Sequence, residues 1–268
     1  MLTILLPSIH PHSLQRMLKN LSDTIIGHTY LVVLTPEHMV LDTSLDEGDL
    51  SGTWVIENGR LGSAGAQAEA VKFAPPESEF VMALSDDVVM LEKGWDEIVI
   101  ENFVRRERQT TARPFCLDMR MGWGGVNAIF GRAYATLPLM RKFDVDKYGW
   151  YDPIFFSRYG DNDLGLRIWS VGGRVEWSER PIIDVHPDNA TNGMNIRYED
   201  QIKFLQRWQS QFPDWPNDPS RYDCGIAMDK IGFFEGNTTN IPTYIKYHQA
   251  RAKAGHRDEW YFREGIIS

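Results

Sequence analysis

The chain alternates short apolar runs with amphipathic stretches. Thr3–Leu6 (TILL) reads as a strand closed by Pro7, and His12–Leu21 then sets Leu14, Leu18 and Leu21 on one helical face. Tyr30–Thr35 (YLVVLT) predicts a second buried strand, so the opening is β-α-β with a crossover suited to parallel pairing. Pro36–Leu50 is acidic and without period. Trp54–Glu57 predicts a third strand, Gly59–Ser63 a glycine-rich turn, and Ala64–Phe73 a helix capped by Ser63. After Pro75-Pro76, Phe80–Leu84 (FVMAL) predicts a fourth strand. Gly94–Arg105 predicts a helix carrying Trp95, Ile98, Val99 and Phe103.

The pattern then changes. Arg105–Arg113 is a polar connection, Phe115–Met119 an edge strand, and Gly122–Gly125 a turn bearing Trp123. Asn127–Gly131 leads into a short helix. Gly160–Asp163 opens a helix whose inner face is Leu164, Ile168 and Val171, and Gly172-Gly173 ends it. Arg174–Trp177 and Ile182–Val185 predict strands, and Glu199–Trp208 a further helix. The expected fold is α/β, an open and mostly parallel central sheet flanked by helices. Residues 1–106 form one half, 107–210 the second half of the same domain, and 211–268 a helical and irregular extension.

Composition narrows this picture. A chain of 268 residues, 43% hydrophobic and 24% charged, suits one large globular domain. Its longest apolar runs are about five residues, where a membrane span needs roughly 20. The opening MLTILLPSIH lacks a basic leader region and breaks at Pro7, unlike a signal peptide. Cys116 and Cys224 make no paired metal pattern and no disulfide framework, so a cytoplasmic setting is expected. A net charge of −9 argues against a broad grip on nucleic acid, though not against a local patch.

Four places carry candidate chemistry. Asp86-Asp87 follows the fourth strand, where open α/β sheets bind ligands. Two adjacent carboxylates repel each other, and Mg²⁺ or Mn²⁺ bound with a diphosphate relieves the repulsion; a plain turn is the other reading. Asp161 at a helix start is a cap or a general base. His186 ends a strand and is a metal ligand or a structural residue. Asn58–Ser63, with Arg60 and Lys72 nearby, precedes a helix whose N-terminus attracts anions. Neither GxGxxG nor GxxxxGK[ST] occurs, which disfavours a dinucleotide site and a P-loop kinase.

The order of these features resembles the GT-A fold glycosyltransferases, above all the inverting group classed as family 2. TILLPSIHPHSLQRMLKNL is similar to the first strand, turn and helix of that group. ENGRLGSAGAQAEAVKFAPPESEFVMALSDDVVMLEKGW is similar to its stretch from the third strand through the acidic metal motif. FGRAYATLPLMRKFD and YGDNDLGLRIWSVGG resemble the segment before the catalytic acid and the acid motif itself, and the likeness spans roughly residues 2–186. It implies a nucleoside-diphosphate sugar as donor, with Mn²⁺ or Mg²⁺ held by Asp87 and His186. Pro7, Ser8, Glu37 and Asp86 would face the donor, and the charge of Arg60 beside the anion-attracting turn makes it a further donor candidate. Asp161 would be the catalytic base, and Asp163 would support it or bind acceptor hydroxyls. Apart from the resemblance, the aromatic Trp123 and Trp150 are candidates for the acceptor wall, with core packing an equal reading. Three departures stand out: Ser85 replaces the first acid of the metal motif, Glu37 in Leu34-Thr35-Pro36-Glu37 is only a weak substitute for the acid that follows the second strand, and Gly160 replaces the glutamate before the catalytic acid.

The implied activity is sugar transfer to an acceptor hydroxyl with inversion. A retaining transferase, a nucleotidyltransferase and a non-catalytic saccharide-binding protein use similar parts. A glycan, a protein or a modified nucleic-acid base match equally well as acceptor.

Overall fold

The computed structural model describes residues 1–40, 45, 49–119, 128–129, 132–156, 159–185, 198–208 and 210. Its first half runs β1 (Leu2–Pro7), α1 (Pro11–Thr24), β2 (Thr29–Thr35), β3 (Leu50–Ile56), α2 (Gly62–Ala70), β4 (Phe80–Ala83), β5 (Val88–Met90) and α3 (Trp95–Glu107). The second half adds β6 (Phe115–Asp118), β7 (Ala128–Ile129), β8 (Arg132–Ala133), β9 (Pro138–Arg141), α4 (Lys142–Tyr148), α5 (Gly160–Ser170), β10 (Arg174–Trp177), β11 (Ile183–Val185) and α6 (Tyr198–Trp208).

Seven strands form the central sheet in the order β10-β6-β9-β4-β1-β2-β3. β1 pairs in parallel with β2 and β4, β2 with β3, and β6 with β10. β9 runs against both neighbours, β4 and β6, so the sheet is mixed. β1 shows why the middle strands read as unbroken apolar runs: Leu2 through Leu6 are all buried, as a strand covered on both faces requires. Pro11 opens α1, where its missing N–H costs nothing. α3 carries Asp96 and Glu97 in its first turn and Arg105 and Arg106 in its last, complementing the helix dipole.

The sheet divides the core in two. α1 and α3 pack on one face together with the β5–β11 ribbon, through Leu14, Leu21, Val88, Met90, Trp95, Val99, Phe103 and Ile183. α2, α4 and α5 pack on the other through Ala66, Ala70, Val145, Leu164 and Ile168. α6 lies outside α5, with Phe204 and Trp208 against Phe155 and Leu166.

Several expectations are corrected. Phe115–Asp118 is an interior strand, because β10 pairs along its outer side. The helix expected after Asn127–Gly131 begins later, at Lys142, and the short strands β7 and β8 stand before it. Ser63 does not cap α2: Leu61 holds that place, and the Ser63 hydroxyl turns to the carbonyl of Phe156 at 3.4 Å. The polar connection is shorter than expected, because α3 continues to Glu107 and buries it. The expected extension at 211–268 lies outside the described residues.

Candidate active site

The strand order reverses between β1 and β4. β1 leads through α1 to β2 on one side, while the chain returns from β3 through α2 to β4 on the other. A crevice at the carboxyl ends of two such strands is where open α/β sheets bind ligands. Here Ser8, the residue after β1, donates from Oγ to Oδ2 of Asp86, in the turn after β4. The Ser8 backbone N–H continues the β1–β2 ladder to the carbonyl of Leu34 at 2.9 Å. Both side chains are buried.

Burial pushes the Asp86 carboxyl above its ordinary range. The Ser8 hydrogen bond works against that rise, the charge of Asp87 adds to it, and His10 pulls back again. Asp87, the next residue, is exposed. Among the described residues no hydrogen bond or ion pair to its carboxylate is made. Beyond it β5 pairs antiparallel with β11, Val88 opposite Val185 and Met90 opposite Ile183. His186 follows Val185 and lies outside the described residues, as does Trp123.

Other expected donor residues stand at the same edge. Pro7 ends β1, and Glu37 lies exposed in a short 3₁₀ turn, 37–39, directly after β2. Arg60 lies exposed on the loop between β3 and α2, its guanidinium 5.7 Å from the centre of the Phe156 ring. That loop is pinned where Glu57 accepts the Leu61 N–H at 2.7 Å. Gly62 has φ 73° and sits against the backbone carbonyl of Phe156, so a side chain there is excluded both by conformation and by space.

Asp161 is the second residue of α5, after an N-cap at Tyr159 with φ 64°. Its Oδ1 accepts the Asn162 N–H at 2.9 Å, one of the free donors of the first turn, and its side chain remains partly exposed. Gly160 brings this helix start against α2: a Cβ added there would stand 2.6 Å from Cβ of Ala64 and 3.2 Å from Cδ1 of Tyr151. Burial holds the Tyr151 phenol well above its usual pKa, and the Asp161 carboxylate adds to that shift. α2 in turn reaches the switch point. Gln67, one turn after Ala64, donates from Nε2 to the carbonyls of Leu5 at 3.3 Å and Leu84 at 3.4 Å.

Two expected acceptor residues are placed elsewhere. Asp163 is fully buried, accepting from Nε of Arg167 at 2.8 Å, Nη1 of Arg207 at 2.9 Å and Nε1 of Trp208 at 2.9 Å. It ties α5 to α6 and has no open face toward an acceptor. Trp150 is packed in the core beside Tyr151, ring centres 5.4 Å apart, and its carbonyl accepts from Arg167. Gln67 escaped the sequence reading, since within GSAGAQAEA it looks like helix filler. Its only signal is that it is the one long polar side chain on the buried face.

Among the described residues no three His, Cys, Asp or Glu side chains gather within reach of one metal ion. No described helix is long and apolar enough to cross a membrane.

No protein-family model and no curated protein matches the sequence. Solved structures do share the fold. A mannosyltransferase of Pyrobaculum calidifontis, PcManGT, in complex with GDP-Man and Mn²⁺, aligns with a TM-score of 0.54 at 15% identity, over 94% of this chain and 75% of that one. S. aureus TarS 1–349 in complex with UDP aligns at 0.49 and 14% identity, over 82% and 74%. Against a longer TarS structure the TM-score is 0.49 at 14% identity; 78% of this chain aligns, spanning 43% of that one. The chain therefore has the α/β fold of the mannosyltransferase, with a central sheet flanked by helices.

Proposed function

We propose that this chain is a metal-dependent glycosyltransferase of the GT-A type, moving a sugar from a nucleoside-diphosphate sugar to an acceptor hydroxyl with inversion. One observation carries the reading. Ser8 and Asp86 close the β1–β4 switch point with Asp87 exposed beside them, and α2, which spans that crossover, also seats the start of α5 that bears Asp161. The fold shared with a mannosyltransferase solved with GDP-Man and Mn²⁺ supports a nucleotide sugar and a divalent ion as the working pair.

The residues present fit such an ion when it arrives with its diphosphate. Mg²⁺ and Mn²⁺ take hard oxygen ligands, and Mg²⁺ in nucleotide sites commonly uses one or two carboxylates, with phosphate oxygens and water completing the shell. Asp87 supplies the exposed carboxylate, Asp86 stands next to it, and His186, which follows Val185 in sequence, is a further candidate ligand. Held there, such an ion would supply positive charge for the departing nucleoside diphosphate. Ser8 and Asp86 hold the turn that presents Asp87. Arg60 offers a cation at the loop before α2. Asp161 accepts the proton of the attacking hydroxyl, and attack opposite the leaving group inverts the anomeric centre.

A panel of nucleotide sugars with Mn²⁺, scored for thermal stabilisation and slow hydrolysis, tests this and names the donor. The expected result is stabilisation by one nucleotide class only when Mn²⁺ is present. Stabilisation by free saccharide without nucleotide or metal would instead identify a binding module, and pyrophosphate release a nucleotidyltransferase. NMR of the product's anomeric proton separates inversion from retention.

A further inference from the structure

α2 touches both ends of the proposed site through two residues one turn apart, Ala64 and Gln67, which share a helix face. Leu5 and Ala83 are the last paired residues of β1 and β4, and Leu84 N–H still donates to Leu5 O at 2.9 Å. There the strands part, and the Gln67 amide bridges the fork by donating to Leu5 O and Leu84 O. Ser8 lies three residues beyond the one carbonyl and Asp86 two beyond the other, and these two side chains close the fork again.

The orientation of the amide is fixed by its surroundings. Turned over, Oε1 would face two carbonyl oxygens and lose both bonds. As it stands, Oε1 is buried without a partner among the described residues. A leucine would avoid that unpaired acceptor, so what the glutamine contributes is the bridge. At the other end, the contact depends on the absence of a side chain at Gly160, since an added Cβ would lie 2.6 Å from Cβ of Ala64.

We propose that α2 is the spacer between the two ends of the site. Gln67 is the positioning residue that holds the Ser8–Asp86–Asp87 end, and Gly160 is the bare contact that seats Asp161. The catalytic consequences rest on the glycosyl-transfer reading, whereas the geometric claim does not.

The test uses the full chain with Gln67→Met, which keeps side-chain length and removes the donors, and Gly160→Ala. Amide hydrogen exchange needs no ligand. In Gln67→Met, exchange at 5–10 and 84–88 should rise at least about tenfold while β2 stays within about twofold of wild type. Unchanged exchange in those two segments overturns the proposal. So does an equal rise in β2, which would mark a merely structural role. With Mn²⁺ and UDP or GDP as probes, Gln67→Met should weaken binding about tenfold. Gly160→Ala should leave that affinity within about twofold but lower transfer turnover about tenfold. Adding Ala64→Gly should restore at least about half of the loss by removing the closer opposing atom, the Ala64 Cβ at 2.6 Å, while Cδ1 of Tyr151 stays at 3.2 Å. No restoration in the double variant overturns the Gly160 contact. If wild type binds no nucleoside diphosphate or nucleotide sugar of the full panel while the exchange change is present, the glycosyl-transfer reading falls and the spacer stands.

Discussion

The two edges of the sheet treat carboxylates in opposite ways. At the amino edge, Glu107 is gripped by Arg141, Nη2 to Oε2 at 2.8 Å, and by Arg113 at 3.4 Å. Arg141 also pairs with Glu79 and lies over the Phe80 ring, 4.5 Å from its centre. Neighbouring Asp144 has its carboxyl pushed up by burial and receives the Phe115 N–H at 3.5 Å. At the carboxyl edge, buried Asp86 has a serine hydroxyl for a partner, and Asp87 faces solvent. Carboxylates matched with guanidinium hold strands and helices together. Carboxylates left with a hydroxyl or with solvent keep oxygen lone pairs for something that binds. Asp163, deep beside Asp161, belongs with the first kind although it sits near the second.

That contrast is open to direct attack. Asp161→Asn keeps an oxygen for the Asn162 N–H but removes the basic group, so transfer should fall by about 10²–10⁴-fold. Donor affinity and melting temperature should stay near wild type; equal turnover would remove Asp161 from the reaction. Arg141→Met, at the other edge, leaves Glu107 short of a partner and should cost about 3 kcal/mol. Denaturant unfolding checks this, and Mn²⁺–nucleotide affinity should be unaffected. Asp87→Ala should weaken Mn²⁺-dependent nucleotide binding roughly tenfold, about 1.4 kcal/mol, with little change in stability. Calorimetry showing the same metal dependence as wild type would count against Asp87 as ligand.

The smallest effect concerns Asp152, which pairs with Arg207 at 2.8 Å. Burial pushes its pKa up, but the Ile154 N–H and Arg207 more than offset that, leaving it below the usual range. A depressed folded-state pKa gives stability that is present above the unfolded value, about 3.9, and is lost as pH falls through the folded one. Asp152→Asn should cost about 1 kcal/mol at pH 7, and the gap to wild type should close below about pH 4. A gap that widened on acidification would contradict the pairing.

Much of this architecture was legible because the physics is local. β1, β2 and β4 are short apolar runs, and Gly160–Ser170 and Arg174–Trp177 carry their period and their stops in plain view. β5 is three residues pressed against the acidic turn, and β9 shows only Leu139 and Met140 between a proline and an arginine, so neither stands out as an apolar run. The candidate site divides the same way. Asp86, Asp87 and Asp161 follow strands or start helices, positions a sequence can flag. The fate of Asp163 was hidden, because its partners Arg207 and Trp208 arrive 44 and 45 residues later. Gln67 was hidden for a related reason: its meaning lies in two carbonyls of other strands.

The β5–β11 ribbon bears on how the molecule comes into being. Val88 meets Val185, 97 positions further along the chain (185 − 88). Closing so long a loop delays its reward, and such pairings form slowly. During synthesis the acidic turn therefore waits for nearly the whole described domain to emerge before it is clamped from its far side. A nascent chain has its first strands long before it has a finished place for a cation.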